Sequence, residues 1–345
     1  MKKNNLYWAV YKNLEREVLE LSNQIHFSDN QLDVYSIKIA ELLIRCSVEI
    51  ESIAKELYIQ NGGKHYIDEK NREYLLEVDE NCVELPDIPQ NRRDLFFDTD
   101  CIDYLENMWL LSKKKVLVVA SNFYFEKEEN AILTPLYKAN KRGSVDWGKA
   151  YQAIKHNRSA NFSRGNIKHL IRAMAALYLL NLYHKDDKFD LGAGNNKKIF
   201  NTNIGSDLFS IQSISVGGVW DNSKASIKTD ECVYIEKWDD KQAQEFEKVN
   251  MEANLNLNQN LLNNKQVAQR LQEILQSPAL TEQYNEKKSL NLNAIAMEVL
   301  GIQAFGNIAS ISLNPLMQKL QQMKTEVILN KIKFFIEETD TLEKI

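Results

Sequence analysis

Along residues 32–58, apolar side chains return at the three- and four-residue spacing of one helix face: Val34, Ile37, Leu42, Leu43, Val48, Ile50, Ile53 and Leu57. Val10, Leu14, Val18, Leu21 and Ile25 repeat the pattern over residues 6–25 and predict a preceding amphipathic helix. The polar break HFSDNQ separates the two, and Ser28 or Asp29 is placed to cap the second. Asn61-Gly62-Gly63 stops it. Residues 104–111 resume a helix, 113–121 read as a short strand or a buried helix end, and 147–155 form another helical segment. Ile167, Leu170, Ile171, Met174, Leu177 and Tyr178 then predict a strongly apolar helix, with Ser163 as its expected cap.

Elsewhere the pattern changes. Residues 64–106 carry thirteen Asp/Glu against five Lys/Arg, with Pro86 and Pro89, and predict short helices and loops crossing the surface. As a polyanion mimic, this stretch could instead cover a basic site. Residues 208–220 and 226–238 are β-branched and aromatic runs joined by Asp221-Asn222-Ser223-Lys224, and predict an antiparallel hairpin. From Asp239 onward the chain turns helical again, and its Asn/Gln/Leu-rich run 254–276 suits a long interaction helix. Residues 290–313 are the most apolar stretch and approach the length of a membrane span. Glu298, Gln303 and Asn307 interrupt it, and Gly301 and Gly306 permit close packing. A buried helix is therefore expected, with membrane insertion as the alternative.

Composition narrows the class without changing these elements. A chain of 345 residues with 44% hydrophobic and 26% charged residues is globular, and only 12 Gly and 5 Pro argue against a turn-rich sandwich or barrel. The fold class expected is mainly α: a helical bundle over 1–195, then a small antiparallel hairpin and a helical C-terminal region over 196–345. Cys46, Cys82, Cys101 and Cys232 lie far apart without ligand spacing, so reduced thiols in a cytoplasmic protein are expected rather than a metal site. The N-terminal residues become charged again by Lys12, with no leader-type apolar core.

Charge points to one region. The formal net charge is −5, yet residues 141–172 hold eight Lys/Arg (141, 142, 149, 155, 158, 164, 168, 172) against Asp146 alone. Two of the five histidines, His156 and His169, lie inside this cluster. Cations and imidazoles on a helical support suit a phosphate-bearing ligand, with Lys149, Tyr151, Lys155 and Lys168 as candidate binding residues. Glu41, Arg45 and Glu49 line one helix face. They form either a solvated ion-pair stripe or a support that orients the basic cluster. Trp147 and Tyr151, at i and i+4, read as core or as a stacking platform.

At Trp147-x3-Tyr151-x3-Lys155-His156-Asn157-Arg158, followed by RAMAALYLLNLY (172–183), the chain resembles the HEPN superfamily, and within it a KHxR-type bacterial branch. The segment VYSIKIAELLIRCSVEIESIAKELY (34–58) is similar to that branch as well, so the likeness covers roughly the first half of the chain. The superfamily comprises small helical bundles found in many bacterial defence and toxin proteins. The resemblance implies a metal-independent ribonuclease without cofactor, homodimeric, acting on RNA. Its signature is an Arg followed, after four to six residues, by His, and Arg164-Gly-Asn-Ile-Lys-His169 matches it. His156 and Arg158 occupy the helix-end position in reversed order, with Lys149 where the Arg would stand. His156 is the histidine expected to move the proton of the ribose 2′-hydroxyl, with His169 of the Arg164–His169 match as the other catalytic candidate, and Arg158 or Arg164 would stabilise the phosphoryl oxygens. A non-catalytic module that recruits a protein partner through the C-terminal helices is the alternative. A membrane-damaging effector is a second alternative.

Overall fold

A computed structural model describes residues 6–63, 66–68, 74–75, 92–137, 145–215, 229–286 and 291–331. The fold is mainly α. Contacts divide the chain into two units, one of residues 1–189, 200–236 and 327–345, the other of 190–199 and 237–326. A division at residue 195 was expected. Instead, the strand-rich residues 200–236 fold with the N-terminal bundle.

In the first unit the helices are α1 (Leu6–Ser22), α2 (Ile37–Gln60), α3 (Asp103–Trp109), α4 (Glu128–Ala131), α5 (Asp146–His156), α6 (Arg158–Asn161) and α7 (Ile167–Lys185). α7 is the axis of the bundle. Every residue from Ala173 to Tyr183 is buried, as expected for a helix that is apolar on all sides. α2 lies along α7, with α1 and α5 also packed on the pair. Leu42, Leu43, Cys46, Ile50 and Ile53 from α2 are fully buried, at about 2 kcal/mol for each large apolar side chain removed from water. Ile37 and Val48, expected on the apolar face, are instead exposed.

Two helix starts differ from expectation. Ser36, not Ser28 or Asp29, caps α2, and its side chain accepts from the Ile39 N–H. Asn166, not Ser163, caps α7 and accepts from the His169 N–H. Both shifts have one cause. A turn at residues 32–33 and the residues after it lie beside the start of α7: Tyr35 bridges Asn166, while the carbonyls of Val34 and Leu32 accept from the N–H groups of Ile167 and Lys168. This tertiary pairing satisfies helix-end donors that a local cap would otherwise serve.

The run at 113–121 contains a strand, Val116–Val118, which pairs antiparallel with Ile132–Leu133 and with Phe209–Ile211. Within the acidic stretch, Tyr66–Asp68 pairs antiparallel with Tyr74–Leu75 and Arg92–Arg93, where only helices and loops were expected. The rest of that stretch up to residue 91 lies outside the described residues, so its proposed cover over the basic cluster does too. The hairpin expected across 208–238 is corrected. Ser213–Ser215 pairs with Tyr234–Glu236 in parallel register, and the expected turn lies outside the described residues. Alternating β-branched residues encode a strand but not its partner, and the intervening chain is long enough for a parallel crossover.

The second unit is built on α8 (Asp240–Leu262), α9 (Lys265–Gln276), α10 (Pro278–Glu286) and α11 (Leu292–Gln322). Asp239, Asn264 and Asn291 cap α8, α9 and α11 through their side chains. α8 and α11 meet along a seam of Leu257, Leu261 and Ala296, against which Val299, Leu300, Phe305, Ile308 and Leu313 pack. The buried helix expected over 290–313 is not found. Only Ile295, Ala296 and Ser312 of α11 are buried, because α8 offers one apolar stripe among its asparagines. Among the described residues α11 is the one helix long and apolar enough to cross a membrane.

Candidate functional site

The turn between α6 and α7 is fixed by a close approach. A Cβ on Gly165 would lie 2.7 Å from the Ala40 Cβ and 3.3 Å from the Ile154 Cδ1, so only glycine lets this turn rest on α2 and α5. Arg164 therefore ends the 3-10 turn Phe162–Arg164, outside α7, while His169 stands in the first turn of α7. Capping by Ser163 would have put both inside one helix.

His169 is held from two sides. Its main-chain N–H donates to Asn166 Oδ1 at 3.1 Å, and its Nδ1 lies 2.8 Å from the Arg164 carbonyl oxygen. A carbonyl carries no proton, so Nδ1 is the donor and Nε2 keeps its lone pair. Burial pushes the imidazole below its ordinary pKa of 6.5, opposed by the Arg164 carbonyl and Asp146 and aided by Lys168 and Arg172. The ring is thus neutral near pH 7, in the tautomer that can accept a proton at Nε2.

Arg164 is exposed and Lys168 half-buried, and neither has an ion-pair partner among the described residues. Arg172, one turn beyond His169, pairs with Asp146 at the start of α5. That pair also lines an open cleft of about 500 Å³ with Lys113, Lys115, Thr134, Tyr137 and Glu231. The other cations of the cleft are matched as well: Lys113 with Asp230 at 2.5 Å, and Lys115 with Glu231 at 2.8 Å. Arg164 and Lys168, which do not line the cleft, leave positive charge without an ion-pair partner among the described residues at the α6–α7 turn.

His156, Arg158 and Lys149 are exposed, at the end of α5, the start of α6 and the outer side of α5. α5 packs on the 3-10 turn that ends in Arg164, so the two Arg/His pairs share one corner of the bundle. No hydrogen bond among the described residues orients His156, in contrast to His169. Lys141 and Arg142 lie outside the described residues.

Other expected contributors do not join this corner. Tyr151 is 2% exposed and Trp147 is fully buried, donating from Nε1 to the Pro135 carbonyl at 2.9 Å, so neither offers a face to a base. Lys155 lies 5.2 Å above the Tyr151 ring, its charge directed back onto the bundle. Arg45 pairs with Glu17 of α1 at 2.8 Å, and Lys38 pairs with the same carboxylate. Glu41 is exposed, and burial raises the Glu49 carboxyl despite the nearby Arg45. Arg45 thus turns to α1, and among the described residues no ion pair links Glu41 or Glu49 to Arg158, His156 or His169.

Tyr35 was missed in the sequence because it reads as part of a continuous helix. It is 50% exposed, sits opposite Asn166, and meets Phe162 edge-to-face at 5.6 Å between centroids. The available signal was Ser36, a favoured cap residue directly before the periodic run. A half-exposed aromatic packed on Phe162, which starts the 3-10 turn that ends in Arg164, is a surface on which an unstacked base can rest. Comparison of the chain with protein-family models, with curated proteins and with solved structures found no match in any of the three.

Proposed function

We propose that this chain is a HEPN-like, metal-independent RNA endonuclease, acting in the cytoplasm as a bacterial defence or toxin effector, with two copies pairing their basic corners around one RNA. The observation that carries the reading is the 2.8 Å contact of His169 Nδ1 with the Arg164 carbonyl, which sets the Nδ1–H tautomer beside a guanidinium with no ion-pair partner among the described residues. In the reaction, Nε2 of His169 takes the proton of a ribose 2′-hydroxyl. The 2′-oxygen attacks the adjacent phosphorus, the bond to the 5′-oxygen breaks, and that oxygen leaves with a proton from water. Arg164 and Lys168 meet the charge that builds on the phosphoryl oxygens, while Tyr35 supports the base. His156 and Arg158 extend the binding edge.

The nucleophile belongs to the substrate, so cleavage in EDTA is expected, with 2′,3′-cyclic phosphate and 5′-hydroxyl ends. Incubating the purified chain with total RNA in EDTA and identifying the termini tests this. RNA that is bound but left intact by the wild-type chain would favour the non-catalytic module. Ends bearing a 5′-phosphate would exclude the mechanism.

A further inference from the structure

We propose that the second unit inserts into a lipid bilayer through α11. The inference is independent of RNA cleavage. Between Glu298 and Lys319, α11 carries no ionisable residue over 20 positions. The backbone leaves helical geometry at Gly301 (φ 78°, ψ 160°), so the continuous uncharged helix is residues 302–318, about 25 Å long at about 1.5 Å per residue, the short end of what spans a bilayer hydrocarbon core. Both ends of the run are marked by paired charge: Glu298 meets Arg270 at 3.2 Å, and Lys319 meets Glu245.

The outward face supports the same occupant. Only 11% of the most apolar stretch of α11 is buried. Ile302 is 81% exposed, Ile311 76% and Met317 53%. A helix facing water ordinarily places charged residues there. Gln303, Asn307, Ser310 and Asn314 supply uncharged hydrogen-bonding groups of the kind that join helices inside membranes, as Asn260 already joins Ser312 at 2.9 Å. Residues 253–264 of α8 and its following turn also lack ionisable groups, while Glu245, Glu247, Lys248 and Glu252 fall on α8 toward the Lys319 end, between the Asn260–Ser312 and Glu245–Lys319 contacts. With no cation on α11 itself between Glu298 and Lys319, attachment rests on apolar burial rather than on anionic headgroups.

The test is flotation of the full chain with zwitterionic phosphatidylcholine vesicles at about 0.05 M and about 0.5 M salt. The wild-type chain is expected to float with the vesicles equally at both. Ile302→Glu and Ile311→Glu change exposed side chains, so an unchanged circular dichroism spectrum is expected, with vesicle-bound protein reduced about tenfold or more. A wild-type chain that stays in the soluble fraction would overturn the proposal. So would variants that float as well as the wild type. If the chain instead self-associates without lipid, and Ile311→Glu dissolves that assembly while wild-type protein ignores vesicles, a second copy covers the face and the bilayer does not.

Discussion

The carbonyl of Arg164 accepts a hydrogen bond from Nδ1 of His169 at 2.8 Å, so one residue of the pair sets the tautomer of the other through its main chain. This separates two roles that a single substitution would otherwise confuse. Arg164→Ala keeps the carbonyl and removes the guanidinium, whereas His169→Ala removes the base. Each is expected to slow single-turnover cleavage of labelled RNA by about 10² or more, the range of a lost general base or oxyanion donor. His156→Ala and Arg158→Ala are expected to weaken RNA binding and leave the bound rate within about tenfold. The reverse ranking would move the chemistry to the α5–α6 junction.

The pH profile follows from the same imidazole. Burial holds His169 below 6.5, so its base form persists further into acid than a free histidine's. The cleavage rate is expected to rise with pH on an acid limb centred below 6.5, and a limb centred at or above 6.5 would exclude His169 as the base. Stability carries the matching sign. The unfolded imidazole protonates first, so the contribution of His169 is present above 6.5 and lost as pH falls through the lower folded value. His169→Asn should lack that loss in denaturant titrations across the same interval.

Much of the bundle was legible because helix period and burial agree: the apolar run of α7 and the inner face of α2 are where the spacing put them. What failed was whatever depended on a partner distant in sequence. Ser28 and Ser163 were plausible caps, but the pairing of residues 32–35 with the start of α7 moved both helix starts and created the His169 geometry. Glu41, Arg45 and Glu49 were correctly placed on one face, yet only tertiary packing decides that Arg45 meets Glu17. The pattern at 208–238 named strands and could not name parallel pairing. Apolarity at 290–313 named a helix and could not supply the partner needed to bury it.

Gly165 makes the site depend on packing at α2. An added Cβ would sit 2.7 Å from the Ala40 Cβ and 3.0 Å from its Cα. Gly165→Ala is expected to cost about 1–3 kcal/mol through overpacking and to displace Arg164 from His169. Combining it with Ala40→Gly, which removes the nearer of the two contacts, should recover part of the lost stability and part of the activity. Thermal melts and cleavage assays on the double-mutant cycle read the coupling, and strictly additive effects would mean the two positions do not touch.

Lys114 is 1% exposed and donates to the carbonyls of Asp230 at 3.1 Å and Cys232 at 3.0 Å. Burial pulls its ammonium down to about 8 from 10.5. Below pH 8 the folded protein must keep a buried charge. Between about 8 and 10.5 the unfolded chain binds the extra proton, so the lysine's contribution to stability rises with pH across that window. Measured against Lys114→Met, the wild-type protein should gain relative stability between pH 7.5 and pH 9 on the order of one pH unit's worth of linkage, about 1 kcal/mol. A difference that stays flat would mean the amine is not buried as described.

Glu15 is 1% exposed, and its Oε1 accepts from Tyr11 Oη at 2.9 Å, Ser206 Oγ at 2.5 Å, the Asp207 N–H at 2.9 Å and the Leu208 N–H at 3.1 Å. Lys12 pairs with its other oxygen and reaches Asp207 at 2.8 Å. One carboxylate thus ties residues 206–208 to α1 and, through them, the strand Phe209–Ile211 to the bundle. Glu15→Ala would leave buried donors without an acceptor and is expected to cost about 3 kcal/mol or more. Glu15→Gln keeps one carbonyl oxygen for the N–H groups and should cost less. Because this network lies on α1 rather than on the α6–α7 turn, cleavage per folded molecule should be unchanged in both variants. Urea denaturation paired with cleavage assays below the transition distinguishes the cases. A loss of activity without a loss of stability would place Glu15 in the chemistry, and a cost under about 1 kcal/mol for Glu15→Ala would mean that water already serves those donors.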